Sequence, residues 1–196
     1  MRVIRAASYR RMPWKNGGGE TIEVAVSPDG AGLDAFDWRV SMARVAAPGP
    51  FSLFPGIDRT LAILDGAGLL LSGPKGTVEL TASSNPYSFP ADTPVEANLP
   101  DGAVMDLNVM SRRGAMRHRL TRRVLEGSVR LSREADAMLV LPRGEVQGSR
   151  GDATTDLSCG DGLFIADGVL LSARRPVTLF VAEFWRVSSP LPLREQ

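Results

Sequence analysis

The strongest pattern along the chain is a period-two alternation of polar and apolar residues, the signature of strands with one buried face. Thr21-Ile22-Glu23-Val24-Ala25-Val26 alternates and then stops at Ser27-Pro28-Asp29-Gly30, a turn composition. Phe36, Trp38, Val40 and Met42 alternate with Asp37, Arg39, Ser41 and Ala43. Ala62-Ile63-Leu64, Asp65-Gly66 and Leu69-Leu70-Leu71 read as a hairpin. Further strands are predicted over Val104–Met110, Leu163–Ala166, Gly168–Leu171 and Val177–Trp185. Turn signals recur about every ten residues, as in a β-sandwich or barrel. From Met116 the chain reads two ways: Met116, Leu120 and Val124 fall at helical spacing, while Met116, His118 and Leu120 alternate. Strand is preferred, because Val124–Leu131 then repeats an earlier pattern.

Two short echoes suggest duplication. Leu64-Asp65-Gly66 returns as Leu125-Glu126-Gly127, 61 residues later, and Phe89-Pro90-Ala91-Asp92 as Phe164-Ile165-Ala166-Asp167, 75 residues later. An apolar strand follows the second echo in each copy, Val104–Met110 and Val177–Glu183. Their shared order predicts a duplicated β-barrel unit, 1–111 and 112–196, with a longer loop inside Gly144–Asp156 of the second copy.

Composition narrows the function classes. The chain has 196 residues, 43% hydrophobic and 23% charged, which suits a folded protein with a sizeable core. A net charge of +1 gives no global field for nucleic acid or an anionic membrane. One histidine (His118) and one cysteine (Cys159) rule out a three-histidine metal site and an intrachain disulfide, so no metal or other cofactor is expected. Met1-Arg2-Val3-Ile4-Arg5 lacks the apolar core of a signal peptide, and Leu61–Leu71 is too short to span a bilayer. A cytoplasmic location follows as an expectation.

The least ordinary segment is Pro13-Trp14-Lys15-Asn16-Gly17-Gly18-Gly19-Glu20-Thr21. Its glycines permit close backbone approach, and Trp14, Lys15 and Asn16 offer a stacking face, a cation and an amide. It reads as a ligand-binding loop or as a tight turn. Arg39 and Ser41 share one strand face, as do Asp106 and Asn108; these faces either line a polar cavity or meet water. Arg59 either holds a ligand carboxylate or pairs with Asp58 or Asp65. Arg112–Arg123 carries six arginines and no acid, but no interleaved aromatic for stacking on single-stranded nucleic acid. It reads as a solvated or interface-forming linker strand, or as a surface for a partner.

Four blocks carry a resemblance: Trp14–Thr21, Asp37–Ala43, Phe54–Arg59 and Asp106–Met110. They resemble the signature blocks of the HutD/Ves family over essentially the whole chain. The resemblance implies an all-β bicupin, with two antiparallel jelly-roll β-barrels of the RmlC-like type, and an association with histidine utilisation. It also implies a ligand-binding or regulatory role toward an acidic intermediate such as formylglutamate or urocanate. Metal-dependent cupins carry two or three histidines and a glutamate on barrel strands; Phe54–Leu64 here carries no histidine.

The expectation is therefore a binding protein, not an enzyme, with a small carboxylate in the first barrel. Lys15 and Arg59 neutralise it; Asn16, Arg39, Ser41, Asp106 and Asn108 supply polar contacts; Gly17 and Gly18 shape the loop; Trp14 covers an apolar part. No nucleic acid or membrane partner is expected, and a homodimer is left open. The alternative is a metal-free epimerase or lyase that uses Asp106, Glu20 or Lys15 as acid and base.

Overall fold

The computed structural model describes residues 1–14, 17–165 and 168–187. In chain order the strands are β1 (Arg2–Ile4), β2 (Arg10–Pro13), β3 (Gly19–Ser27), β4 (Trp38–Val45), β5 (Gly49–Pro50), β6 (Ile57–Asp65), β7 (Leu69–Gly73), β8 (Gly76–Leu80) and β9 (Tyr87–Pro90). There follow β10 (Glu96–Asn98), β11 (Val104–Arg112), β12 (Met116–Leu131), β13 (Ala137–Pro142), β14 (Val146–Arg150), β15 (Ala153–Leu157), β16 (Gly162–Phe164) and β17 (Val169–Arg186). All pairings are antiparallel, and the chain is all-β apart from one short turn of 3-10 helix, Ala6–Ser8, among the described residues. No described helix is long and apolar enough to cross a membrane.

The chain divides into two compact units, Tyr9–Arg113 and Gly114–Gln196 together with Met1–Ser8. In the Tyr9–Arg113 unit a six-stranded sheet runs β2-β3-β4-β11-β6-β9 and a four-stranded sheet runs β5-β10-β7-β8. Ala43, Val45, Leu61, Ile63 and Val104 from the first pack with Leu69, Leu71, Leu80 and Ala97 from the second. In the other unit β17 pairs along its length with β12, and the order β1-β16-β13-β17-β14-β15 wraps a cluster that includes Leu131, Val140, Leu163, Leu171 and Val181. Strand β1 belongs here rather than to a unit spanning 1–111: Arg2–Ile4 pairs with Phe164–Gly162, and Met1 and Val3 pack on that cluster.

The same strand order occurs twice. The path β4-β11-β6-β9 corresponds to β12-β17-β13-β16, and β10-β7-β8 to β17-β14-β15. Topology corrects the sequence alignment in three places. Leu64-Asp65 ends β6, whose counterpart is β13, whereas Leu125–Gly127 lies within β12; that echo joins non-equivalent positions. Gly144–Asp156 holds the β14–β15 hairpin, the counterpart of β7–β8, not an inserted loop. The expected strands Gly168–Leu171 and Val177–Trp185 form one strand, β17, interrupted by a register shift opposite Leu125 and Gly127. Pro176 falls in that shift, where no ladder donor is needed.

The hairpin expected at Asp65-Gly66 does not form either. Strand β6 pairs with β11 and β9, while β7 pairs with β8 and β10, so residues 66–68 carry the chain from one sheet to the other. Gly66 (φ +95°) and Gly68 (φ +110°) make the corner in a conformation that L side chains rarely adopt. A Cβ on Gly68 would stand 2.4 Å from the Leu80 carbonyl, whereas Gly76 (φ +107°) faces open space. Gly68→Ala should therefore cost more stability than Gly76→Ala, by about 1–3 kcal/mol, measured by urea unfolding. Equal losses would mean that the corner is not sterically constrained.

Candidate functional site

Register assembles a polar face inside the Tyr9–Arg113 unit. Asp106 lies opposite Ala43 and Ile63, Asn108 opposite Ser41 and Leu61, and Met110 opposite Arg39 and Arg59. Glu23 lies opposite Ser41, and Phe89 opposite Arg59. Directly opposed residues project to the same side of a sheet. Glu23, Arg39, Ser41, Asn108, Asp106 and Arg59 therefore share one face, drawn from four adjacent strands. All except Glu23 are buried.

Arg59 is only 4% exposed. Phe51, Phe54 and Phe89 place their ring centroids 5.3, 5.2 and 5.8 Å from its guanidinium carbon, a cation–π enclosure. Nη2 donates to the Ser52 carbonyl at 3.4 Å, and Nε has no hydrogen-bond partner. Burial pulls its pKa down to about 10, with Arg39 adding to that effect and Asp106 opposing it. Asp58, one of the sequence's candidate partners, is held instead by Arg113 at 2.9 Å, so Arg59 is not engaged by its neighbour in sequence.

Asp106 is fully buried. Its Oδ1 accepts from Asn108 Nδ2 at 2.6 Å, and its Oδ2 has no partner. Burial pushes the carboxyl up to about 7, against the attraction of Arg59 and hydrogen bonds from Ala43 and Asn108. Arg39 Nε donates to Glu23 Oε2 at 2.8 Å, and Arg39 Nη1 approaches Ser41 Oγ at 3.4 Å. The face thus holds one closed ion pair and two opposite groups, Arg59 and Asp106, each with an orphaned atom. Buried polar atoms are nearly always satisfied, so both orphans call for a partner that the described residues do not supply.

Arg39, Ser41, Arg59, Asp106 and Asn108 are therefore brought together, with Trp14 farther along the same face. Trp14 Nε1 donates to Thr21 Oγ1 at 2.8 Å, and its ring packs at the Val45 and Val104 end of the core. The turn is closed by Trp14 N–H to the Gly19 carbonyl and Gly17 N–H to the Trp14 carbonyl. Gly17 has φ +71°, and Gly18 accepts from Ala46 N–H. A Cβ on Gly19 would meet the Arg44 carbonyl at 2.1 Å and the Trp14 ring at 3.1 Å, so this glycine is required by packing. Lys15 and Asn16 lie outside the described residues. Glu20 is not part of the cluster: it pairs with Arg11 at 3.0 Å and lies opposite Arg44, whereas Thr21 and Glu23 project to the polar side.

The arginine run is largely consumed by the fold. Arg112 donates to the Phe36 and Asp34 carbonyls, Arg113 bridges Asp58 and Asp92, and Arg119 holds the buried Glu183 at 2.8 Å. Cys159 is a free, exposed thiol. The Gly114–Gln196 unit contains an open pocket of about 300 Å³ with largely apolar walls, including Leu125, Val129, Leu131, Leu179 and Val181. Two further orphaned atoms, Arg117 Nε and Thr121 Oγ1, lie on β12 in that unit. Among the described residues no cluster of three His, Cys, Asp or Glu side chains is placed to hold a metal ion.

The HutD family model matches residues 6–180. An uncharacterised 21.2 kDa protein of the hutC 3′ region of Pseudomonas putida is 35% identical over 142 residues, 71% of this chain and 72% of that protein. Protein Ves of Citrobacter koseri is 42% identical over 108 residues, 53% of this chain; the match spans 56% of that relative. Among solved structures, a conserved protein of unknown function from Pseudomonas aeruginosa PAO1 superposes with TM-score 0.86 at 33% identity, covering 94% of this chain and 98% of that one. HutD from Pseudomonas fluorescens SBW25, in a formate condition, gives TM-score 0.79 at 29% identity with the same coverage. Oxalate decarboxylase from Lactobacillus farciminis gives 0.62 at 8% identity over 96% of this chain and 90% of that one, a likeness of fold.

Two stability outcomes follow. Replacing a buried charge with an apolar side chain of similar volume is often neutral or stabilising by about 1–4 kcal/mol. Arg59→Met, inside three phenylalanine rings, should therefore keep or raise the midpoint of thermal unfolding, and a marked loss would show that Arg59 is structural. Asp106 has a folded-state pKa above the unfolded one, so its contribution is greatest below about pH 4 and is lost as pH rises toward 7. The stability of Asp106→Asn relative to the native chain should rise across that window by a few kcal/mol and then level off. A pH-independent difference would show that Asp106 ionises normally.

Proposed function

The chain belongs to the HutD family, and from that premise we propose that it binds a small carboxylate on the polar face of the Tyr9–Arg113 unit and serves histidine utilisation as a binding or regulatory protein. The observation that carries this reading is Arg59: a cation buried among three aromatic rings, with Nε unsatisfied, is costly to the fold and suited to a planar anion. Arg39 adds positive potential but is neutralised by Glu23, which leaves Arg59 as the principal anchor. Asp106, Asn108 and Ser41 offer directional contacts. Formylglutamate and urocanate both carry the carboxylate this chemistry requires. We further read the two recurrences of strand order as two cupin-like jelly-roll barrels, the bicupin arrangement, in a cytoplasmic protein.

Thermal unfolding with formate, formylglutamate and urocanate tests the reading. A ligand at about 100 times its Kd stabilises by roughly 2.7 kcal/mol. Arg59→Lys keeps a charge but loses the planar fork, and should weaken binding by about tenfold to a hundredfold. His118→Ala should bind normally. Unchanged affinity in Arg59→Lys, or no stabilisation by any of the three, would refute this function.

A further inference from the structure

We propose that capture of an anion by Arg59 is coupled to uptake of one proton at Asp106, and that the protonated Asp106 then donates to a neutral oxygen of the same ligand. This rests on the binding reading above and adds the ligand's class: a carboxylate that also carries an uncharged carbonyl, as in an acylated amino acid.

The geometry supplies the argument. Arg59 lies opposite Met110, and Asp106 is four residues from Met110 on the same face, with Asn108 and Leu61 between. The two backbones are roughly 13 Å apart along the strands, from four residues at the antiparallel rise. No ion pair within 4.0 Å joins the two side chains. Each is buried and retains an orphaned atom, Nε on one and Oδ2 on the other. Asp106 Oδ1 is occupied by the Asn108 amide, an N–H donor that requires an acceptor. A proton taken up by Asp106 therefore belongs on Oδ2, where it converts an orphaned acceptor into an O–H donor. The second end of the ligand must then present an acceptor, and a neutral one suits it best, because among the described residues no further unpaired cation faces this buried acid to balance a second anion.

Asp106 ionises close to neutrality before any ligand arrives. An anion on Arg59 offsets the largest of the attractions that favour the charged carboxylate, and adds a like charge nearby. Both effects drive proton uptake. Few other groups facing Asp106 compete for this role. Strand β3 presents Glu23 and β4 presents Arg39, already paired with each other. Strand β6 presents Arg59 and β9 presents Tyr87. The four-stranded sheet presents Leu69, Leu71, Leu80 and Ala97 to this core.

Calorimetric titration of the full chain with sodium formate and with N-formylglycine, from about pH 6 to pH 8.5 in two buffers of different ionisation enthalpy, reads the coupling directly. About one proton should be taken up per N-formylglycine bound above pH 7, with affinity falling toward a limiting tenfold per pH unit there and flattening below it. N-formylglycine should bind more tightly than formate, which has no second oxygen to reach Asp106. Asp106→Asn should bind but lose the pH slope. Binding by the native chain with no proton uptake and one affinity at every pH would overturn the coupling while leaving carboxylate binding intact. Retention of the slope in Asp106→Asn would overturn it as well. Failure of both probes to bind at any pH would defeat the binding reading and the coupling together.

Discussion

Strands β4 and β11 are buried along most of both faces; Arg44 reaches the surface, but Arg39, Ser41, Asp106 and Asn108 must find their partners inside the protein. Trp38, Val40 and Met42, like Leu107 and Val109, occupy one side; Arg39, Ser41, Asp106 and Asn108 occupy the other. Water is not available to either set. Strand pairing aligns Glu23 with Ser41, next to Arg39, and one ion pair closes there. It also sets Asn108 two residues from Asp106, and one hydrogen bond closes there. Arg59, entering from β6, then meets a face whose anions are already committed, one to a salt bridge and one tending toward neutrality. Its incomplete satisfaction follows from that order of pairing.

The Gly114–Gln196 unit shows what the same strand order does when the polar groups are differently placed. Its buried cluster is apolar from Leu131 through Val181, and the buried Glu183 is held by Arg119 at its end. Asp161, also buried, accepts from Ala6 N–H and Ser158 N–H and pairs with Arg5, tying the N-terminal segment to the β15–β16 turn. Those contacts hold its pKa below the usual carboxylate range even though burial opposes them. Asp161 and Asp106 are thus the same chemical group with opposite fates. One has donors on both carboxyl oxygens and stays charged; the other, more deeply buried, keeps one oxygen without a partner and tends toward neutrality.

Period-two alternation was enough to place β3, β4, β11 and β12, because each strand's side chains sort by parity whatever it pairs with; β13, a continuous apolar run, and the β14–β15 hairpin were not read as strands. It also placed Arg39 with Ser41, and Asp106 with Asn108, on shared faces. Connectivity was less legible. Asp65-Gly66 has a hairpin composition, yet two glycines at positive φ can turn a chain between sheets as readily as back along one, and packing against Ala103 and Leu80 decides which. The Leu64/Leu125 echo failed because short apolar-acidic-glycine triplets recur wherever a strand bends, in register or not. The enclosure of Arg59 was hidden for another reason: Phe51 and Phe54 are near in sequence, but Phe89 arrives through β9, a pairing that alternation does not specify. The arginine run likewise read as a surface, because its partners Asp34, Asp58, Asp92 and Glu183 are distant in sequence.

A fold selected only for stability would have removed this cluster. Desolvating a guanidinium costs several kcal/mol that three aromatic contacts of about 1–2 kcal/mol each only partly return. Leaving a carboxyl oxygen unpaired on the same buried face adds a further penalty of about 1–3 kcal/mol. The surrounding scaffold is able to carry that burden because β4 and β11 are central strands, each flanked on both sides, so the backbone cannot relax to let water in. Rigidity and incomplete satisfaction then work together. On the reading proposed above, a planar anion at Arg59 and a neutral oxygen at Asp106 would complete these side chains, and a ligand that does so would recover desolvation already incurred by the fold. Sites of this kind bind small polar molecules well for their size, since little remains to be ordered on binding.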